Sequence, residues 1–267
     1  MIDGINFLGE LYQEGLSYSS INTARSALSA VISIAGNVNF GNNAMVTRFM
    51  KGVFCSRPSL PRYTEIWDVS LVLRYIKKWQ PLASIDLKTL SLKTVTLMAL
   101  TSGQRCQTLQ ALDIDHMVVA PSYCKFEIIQ LLKTSKPNKH LGQLNFITYA
   151  PDENLCVVNC LKEYIKRTEP LRSGCKSLLI SYVKPHCKVS TNTISRWLKE
   201  VLKISGIDTS IFTAHSFRAA ASSAAKSSNV PIDKIMAIAG WQSSETFRKF
   251  YDKPIITDKG GFANSIF

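Results

Sequence analysis

The stretch TAHSFRAAASSAAK, residues 213–226, sets a histidine and an arginine three positions apart in front of a run of small residues. Its pattern predicts a helix over 213–229. The alanines and serines allow this helix to pack closely against its neighbours, so that a tight core fixes the positions of His215 and Arg218. Taken alone, His215 is more typical of a hydrogen-bonded helix histidine than of a catalytic group.

Other short segments carry further candidate residues in a fixed order. These are Arg105 in LMALTSGQRCQTLQALDI, Lys133 in IIQLLKTSK, Trp241 in AGWQSSETF and Tyr251 in FRKFYDKPI. Taken singly, each has an ordinary interpretation as a surface arginine, a core tryptophan or a packing aromatic. Lys136 and Lys139 share the hairpin of Lys133, and either could replace it or contact a nucleic-acid backbone. The ordered set, rather than any one member, indicates a function.

Exchange of phosphodiester bonds requires these residue types. The transition state carries extra negative charge on its non-bridging oxygens, and an arginine stabilises it with two parallel hydrogen bonds and a permanent charge. A tyrosine can attack phosphorus in line, although its pKa of roughly 10 demands a nearby proton acceptor or a positive field. A lysine at a strand turn can protonate the departing sugar oxygen. This chemistry needs no cofactor, and the sequence contains no obvious carboxylate cage for a metal.

Together these segments resemble the signature of the tyrosine recombinase (phage integrase) superfamily over roughly residues 66–256. The resemblance implies an enzyme that cleaves and rejoins double-stranded DNA through a 3′-phosphotyrosyl link, with no small-molecule substrate. It also implies a role for each residue. Arg105 and Arg218 clamp the scissile phosphate, Lys133 protonates the leaving 5′ oxygen, His215 binds the phosphate and assists proton transfer, Trp241 donates its indole N–H, and Tyr251 is the nucleophile.

A finer similarity connects the chain with the recombinases of eukaryotic DIRS-like and Crypton-like mobile elements. It lies in SYSSINTARSALSAV, the hairpin KTSKPNKHL, the use of Trp241 and the closing FYDKPI. The superfamily resemblance also implies a homo-tetramer on paired DNA sites, in which subunits often exchange a C-terminal segment. The tail DKPIITDKGGFANSIF is a candidate for that exchange, and a frayed terminus is the alternative.

Three features depart from the superfamily's pattern. Thr108 stands where an acid usually follows the first arginine by three residues. Trp241 and Tyr251 are ten residues apart, one more than is common. The N-terminal helices resemble the later part of a core-binding domain rather than a whole one, so complete encirclement of DNA is not implied.

The apolar pattern predicts a mainly α fold with a small three-stranded antiparallel β-sheet. This is the architecture of a tyrosine recombinase catalytic domain preceded by a partial helical core-binding domain. We predict the partial, SAM-like helical domain over 1–54, a basic linker over 55–65, and the catalytic domain with its tail over 66–267. The predicted strands lie in HMVVAP, KFEIIQLLK and LNFITYA, with PNKHLG as the turn between the last two.

The charge balance indicates a polyanionic partner, since 32 Lys and Arg face 19 Asp and Glu for a net charge of +13. No apolar run is long enough to span a bilayer, and no helix sets basic charge opposite an apolar face, which favours nucleic acid over a membrane. The N-terminus lacks the features of a secretory signal, and the scattered cysteines favour reduced thiols in a cytosolic or nuclear protein. We expect a nuclear location.

Two other functions stay open from the sequence. One is a catalytically inactive DNA-binding module derived from such a recombinase. The incomplete first domain is the reason for considering it. The other is a type IB topoisomerase, which shares the nucleophile and the phosphate clamp.

Overall fold

The computed structural model describes residues 1–36, 39–138, 140–241 and 243–256 of the 267-residue chain. The backbone separates into two compact units, Met1–Arg62 and a second that begins at Tyr63. Within the described ranges, no helix is both long enough and apolar enough to cross a membrane. Lys139 and most of the tail predicted for subunit exchange lie outside the described residues.

The first unit consists of helices α1 (Ile2–Gln13), α2 (Tyr18–Gly36) and α3 (Ala44–Ser56). Polar side chains satisfy backbone N–H groups at two helix starts: Ser17 accepts from Ser20 at 3.2 Å, and Asn43 accepts from Met45 at 2.9 Å. The core of this unit is formed by Leu8, Ile21, Phe40, Val46, Met50 and Val53.

The second unit contains the remaining helices, the β-sheet and two short 3₁₀ turns, Glu153–Leu155 and Glu169–Leu171. Its helices are α4 (Val69–Lys77), α5 (Leu87–Ser102), α6 (Cys106–Gln110), α7 (Val157–Thr168), α8 (Thr191–Ile204), α9 (Ser216–Ser227), α10 (Ile232–Ala239) and α11 (Ser244–Phe250).

Helix α5 is the central element of the second unit. Every residue from Leu90 to Ala99 is buried, and the helix packs against α7, α8 and α9. The ammonium group of the buried Lys93 finds a partner inside the protein, since its Nζ donates to the Trp79 carbonyl at 2.7 Å. The helix ends at Gly103, whose φ of +58° lies in the left-handed region that glycine adopts most easily.

The sheet is antiparallel, with the order β1 (Met117–Val119), β2 (Tyr123–Glu127), β3 (Gln143–Ile147). Its inner face buries Cys124, Phe126, Leu144 and Phe146 against the helices. The prediction of a mainly α fold with a small three-stranded antiparallel sheet is therefore confirmed.

The second strand is shorter than the sequence suggests. The run KFEIIQLLK predicts a strand through Lys133, but β2 ends at Glu127, and Leu131 is 82% exposed. The Ile128 N–H still donates to the Gly142 carbonyl at 2.9 Å, but side chains take the groups that follow: His140 Nε2 contacts the Ile128 carbonyl at 2.6 Å, and Gln107 accepts from the Lys133 N–H at 3.1 Å. The prediction of a strand over residues 128–133 is wrong because these tertiary contacts replace sheet pairing.

The start of the second unit is bound to the segment that follows α11. Ile66 and Ile255 form a parallel bridge, in which the Ile66 N–H donates to the Pro254 carbonyl at 2.8 Å and the Ile256 N–H donates to the Ile66 carbonyl at 2.7 Å. Next to this bridge, the Trp67 indole donates to the Ser216 hydroxyl at 2.8 Å, at the first turn of α9. The bridged residues Ile66 and Ile255 therefore lie close to the start of α9, next to the predicted His215 and Arg218.

Candidate active site

Helix α9 brings the first two candidate residues to one site. His215 immediately precedes the helix and lies at the protein surface, whereas Arg218 is 1% exposed. Ala219 and Ala220 are also buried, so the small residues of the sequence do allow the close packing that encloses the arginine. The two side chains are three residues apart, which places them on neighbouring positions of the same helix face.

Backbone carbonyls hold Arg218 in a fixed orientation. Its two terminal nitrogens donate to the Gly103 carbonyl and, at 3.2 Å, to the Ala239 carbonyl. The guanidinium carbon lies 4.6 Å from the ring centre of Trp241 and 5.4 Å from that of Tyr251. The Arg218 Nε is buried and has no hydrogen-bond partner among the described residues, which leaves a donor for an anion.

Arg105 lies in the turn that Arg218 contacts. It is half-buried and immediately precedes α6, two residues after Gly103. Burial and then the nearby charge of Arg105 lower the pKa of Arg218 to about 10, so Arg218 stays charged at neutral pH. The structure thus brings both predicted arginines to one site, where two cations near one another favour a bound anion such as phosphate.

Tyr251 directs its hydroxyl toward His215. The residue is largely buried just beyond the end of α11, and its hydroxyl oxygen lies 3.3 Å from the His215 Nε2. Neighbouring protein atoms remove part of the hydration of His215 and lower its pKa, and the charges of Arg218 and Arg105 lower it further. A neutral imidazole at neutral pH can accept the phenol proton.

Trp241 completes the aromatic wall of the site. It is 8% exposed, and its ring centre lies 4.6 Å from that of Tyr251 and 5.2 Å from that of Phe247. Its buried Nε1 has no hydrogen-bond partner within the described ranges. Because an unpaired buried N–H is costly, this donor is suited to an incoming acceptor such as a phosphate oxygen.

Lys133 is the predicted residue that stays at the edge of the site. Its backbone is anchored to Gln107 of α6, but the residue is exposed. The adjacent Thr134 lines a cavity of about 320 Å³ that Arg105 and Trp241 also line. Lys136 is exposed on the same loop, so the described loop leaves both lysines as candidates for the proton donor.

Several positioning groups were not evident from the sequence. Gln104 donates to the Ile238 carbonyl at 2.7 Å, and Thr108 donates to the Gln104 side chain at 3.2 Å. Uncharged groups therefore secure the turn of Arg105 at the place where the superfamily usually has an acid. The sequence offered one signal, because Gln104 and Thr108 are polar residues four positions apart and can meet on one helix face. The contact of Gln104 with Ile238 could not be predicted, because it joins residues far apart in the chain.

Comparison with known proteins identifies relatives of this architecture. The model of the Phage integrase family matches residues 74–254. No match was found among curated proteins.

Solved structures show a similar fold. They include XerH site-specific recombinase bound to difH substrate (TM-score 0.63, 15% identity, covering 98% of this chain and 68% of that chain). The Tn1549 transposon integrase in complex with circular intermediate DNA matches with a TM-score of 0.61 at 13% identity, over 98% of this chain and 83% of that one. A lambda integrase tetramer bound to a Holliday junction matches with a TM-score of 0.53 at 17% identity, over 90% of this chain. The chain spans 63% of the lambda integrase chain, which is less than two thirds of its length.

Proposed function

The chain belongs to the phage integrase family, and from this premise we propose that it is a site-specific DNA recombinase or integrase that acts through a 3′-phosphotyrosyl intermediate. The observation that carries the proposal is the 3.3 Å approach of the Tyr251 hydroxyl to His215 Nε2 beside the buried Arg218. A nucleophile, a proton acceptor and a fixed cation are the groups that phosphoryl transfer to a protein requires.

In the proposed reaction, Arg105, Arg218 and the Trp241 indole bind the non-bridging oxygens of the scissile phosphate. The Tyr251 oxygen attacks phosphorus, its proton passes to His215, and the bond to the 5′ oxygen breaks as that oxygen takes a proton from Lys133. A 5′ hydroxyl of another strand then attacks the phosphotyrosyl link and releases Tyr251. Because one phosphodiester replaces another, the cycle requires no ATP and no bound cofactor.

We also propose the finer features that the sequence suggests. These are an origin in a mobile element of the DIRS-like or Crypton-like type, a nuclear location and assembly as a homo-tetramer on paired DNA sites. The lambda integrase tetramer on a Holliday junction supports the last of these by likeness of fold. The net charge of +13 supports binding to the DNA backbone.

The direct experiment uses a pool of nicked duplexes of random sequence, in which the cleaved strand loses its short 5′ hydroxyl fragment and cannot be resealed. Protein–DNA adducts that survive SDS are isolated, and their DNA is sequenced to obtain the site. We expect a covalent adduct on a limited set of sequences. Salt-sensitive binding without any adduct would instead identify an inactive DNA-binding module, and relaxation of supercoiled plasmid without site preference would indicate a topoisomerase.

The pH dependence of adduct formation tests the proton acceptor. Because the His215 pKa of the DNA-free protein is lowered from its usual 6.5, we expect the rate at subsaturating DNA, which reports the free protein, to rise with pH and to reach half its maximum below pH 6.5. His215→Gln should remove this rise of the rate with pH and slow cleavage by about 10²-fold or more. His186→Gln is the matched control, because His186 lies outside the site and contacts the Ser181 carbonyl. A rise of the rate with its midpoint above pH 6.5 would contradict the assignment of His215 as the proton acceptor.

A sulfur-substituted substrate tests the proton donor. Lys133→Ala should slow cleavage of ordinary DNA by about 10²-fold or more. The variant should recover when sulfur replaces the 5′ bridging oxygen, because a thiol has a pKa of about 8.5 and leaves without a proton. Lys136→Ala provides the comparison on the same loop. Recovery of the Lys136 variant instead would assign the acid to Lys136, and recovery of neither would exclude both.

A further inference from the structure

Helix α9 continues past Arg218 into a second set of polar contacts with the segment that carries the nucleophile. We propose that Ser223 is a positioning residue that holds Tyr251 ready to attack a phosphate bound by the arginines of the same chain. This inference rests on the proposed function and extends it to a residue outside the six that the sequence singles out.

The Ser223 hydroxyl makes two contacts with the backbone, one at Tyr251 and one two residues after it. It donates to the Tyr251 carbonyl at 3.0 Å and accepts from the Lys253 N–H at 3.0 Å. Ser223 is 4% exposed, so these contacts are shielded from water. One hydroxyl thereby serves as donor to a carbonyl and as acceptor for an N–H.

The backbone of Tyr251 needs a hydrogen-bond partner from outside α11, because the residue lies just beyond the end of that helix. The residue follows the last turn of α11 with φ −123° and ψ −21°, outside helical geometry. Its N–H still donates to the Phe247 carbonyl at 2.8 Å, but its own carbonyl follows the last turn, where the carbonyls of a helix have no partner within the helix. Ser223 supplies the partner that a further helical turn would have provided.

The neighbouring Ser222 is a weaker candidate for this role. Its hydroxyl donates at 2.7 Å to the Arg218 carbonyl within α9 and lies 3.4 Å from the Tyr251 carbonyl. Ser222 is therefore already satisfied by its own helix.

Lys226 adds an ion pair one turn further along α9. Its Nζ contacts the carboxylate of Asp252, with 44% and 23% of the two side chains exposed. An exposed pair of this kind contributes little by itself, but it joins the same segment to the same helix. One rigid helix thus sets the distance between the phosphate clamp at Arg218 and the backbone of Tyr251.

The test compares Ser223→Ala with Ser227→Ala, an exposed serine on the same helix whose hydroxyl contacts the Ala224 carbonyl. The probe is a nicked duplex recovered from the random pool, at saturating protein. We expect Ser223→Ala to form the adduct about tenfold more slowly, with DNA affinity unchanged, and Ser227→Ala to match the unsubstituted protein.

Religation separates positioning from general damage. Once the phosphotyrosyl bond exists, the phosphate clamp holds the tyrosine, so attack by an added 5′ hydroxyl strand should proceed at the normal rate in Ser223→Ala. Damage to the clamp would slow both directions. Equal slowing of cleavage and religation, or no slowing of cleavage, would overturn the inference.

Hydrogen exchange of the protein without DNA tests the role of Ser223 separately from the proposed function. Hydrogen exchange of peptides that cover residues 249–256 should accelerate in Ser223→Ala and not in Ser227→Ala, since the Lys253 N–H loses its acceptor. If Ser223→Ala does not fold, Asp252→Asn removes the ion pair instead and should give a smaller change in the same direction. Unchanged exchange in the folded variant would refute the role of Ser223, whereas absence of any adduct in the unsubstituted protein would refute the proposed function.

Discussion

Replacing Tyr251 with phenylalanine is expected to abolish the covalent protein–DNA adduct and to leave DNA binding intact. The adduct is a bond between the tyrosine oxygen and phosphorus, so a side chain without that oxygen cannot form it. In enzymes that lose a catalytic nucleophile, the rate falls on the order of 10⁶-fold, which here means no detectable product.

The substitution preserves the packing of the site. Phenylalanine keeps the ring that lies 4.6 Å from Trp241 and 5.4 Å from the Arg218 guanidinium carbon, and it loses the hydroxyl contact to His215. We therefore expect the free energy of unfolding to change by about 1 kcal/mol or less.

The measurement is adduct formation on the selected nicked duplex, scored by the SDS-resistant shift in protein mobility. Tyr123→Phe on the exposed face of β2 is the matched control, and it should form the adduct at the normal rate. Persistence of the adduct in Tyr251→Phe would place the nucleophile at another residue and remove the basis of the proposed mechanism.

Replacing Arg218 with lysine is expected to slow adduct formation by about 10³-fold. Lysine retains the positive charge but cannot keep both carbonyl contacts, to Gly103 and Ala239, while also presenting a donor to phosphate. The loss should appear in the cleavage rate at saturating DNA, because the net charge of +13 provides an attraction to DNA that does not depend on Arg218.

Arg172→Lys is the control for the cost of altering a buried arginine. Arg172 is 6% exposed, and its guanidinium also donates to backbone carbonyls, those of Ser177 and Leu178, away from the site. Both variants should lower the unfolding temperature, but the Arg172 variant should cleave normally at a temperature where it is folded. Equal loss of cleavage in the two variants would show that the effect of Arg218→Lys reflects stability alone.

The sequence predicted the mainly α fold with its three-stranded sheet, and it predicted the contacts between residues that are close in the chain. His215 at the N-cap of α9 and Arg218 in its first turn are three residues apart, so the predicted helix places them on one face. Trp241 and Tyr251 also meet as expected, because the short α11 between them returns the chain to the same site. Their roles in catalysis stay predictions until the variants are measured.

What the sequence could not supply are contacts between backbone groups far apart in the chain. The carbonyls of Gly103 and Ala239 carry no side-chain signature, yet they orient Arg218. The same reason explains the error in β2: the bond of the Lys133 N–H to Gln107 is invisible to strand periodicity. The sequence predicts only that Ser223 belongs to a run of small residues that packs closely. The hydrogen bond of its hydroxyl to Tyr251 becomes visible only in the folded structure.

The bridge between Ile66 and Ile255 places two positions of the second unit side by side although they are far apart in the sequence. Domains joined at positions that lie close together tolerate circular permutation. A permutant that joins residue 256 to residue 63 through a short flexible linker and opens at the turn Ala120–Ser122 should therefore retain the fold. In such a molecule the linker would follow Tyr251 and its bridge, and the contacts of the Tyr251 N–H with Phe247 and of its carbonyl with Ser223 would be kept.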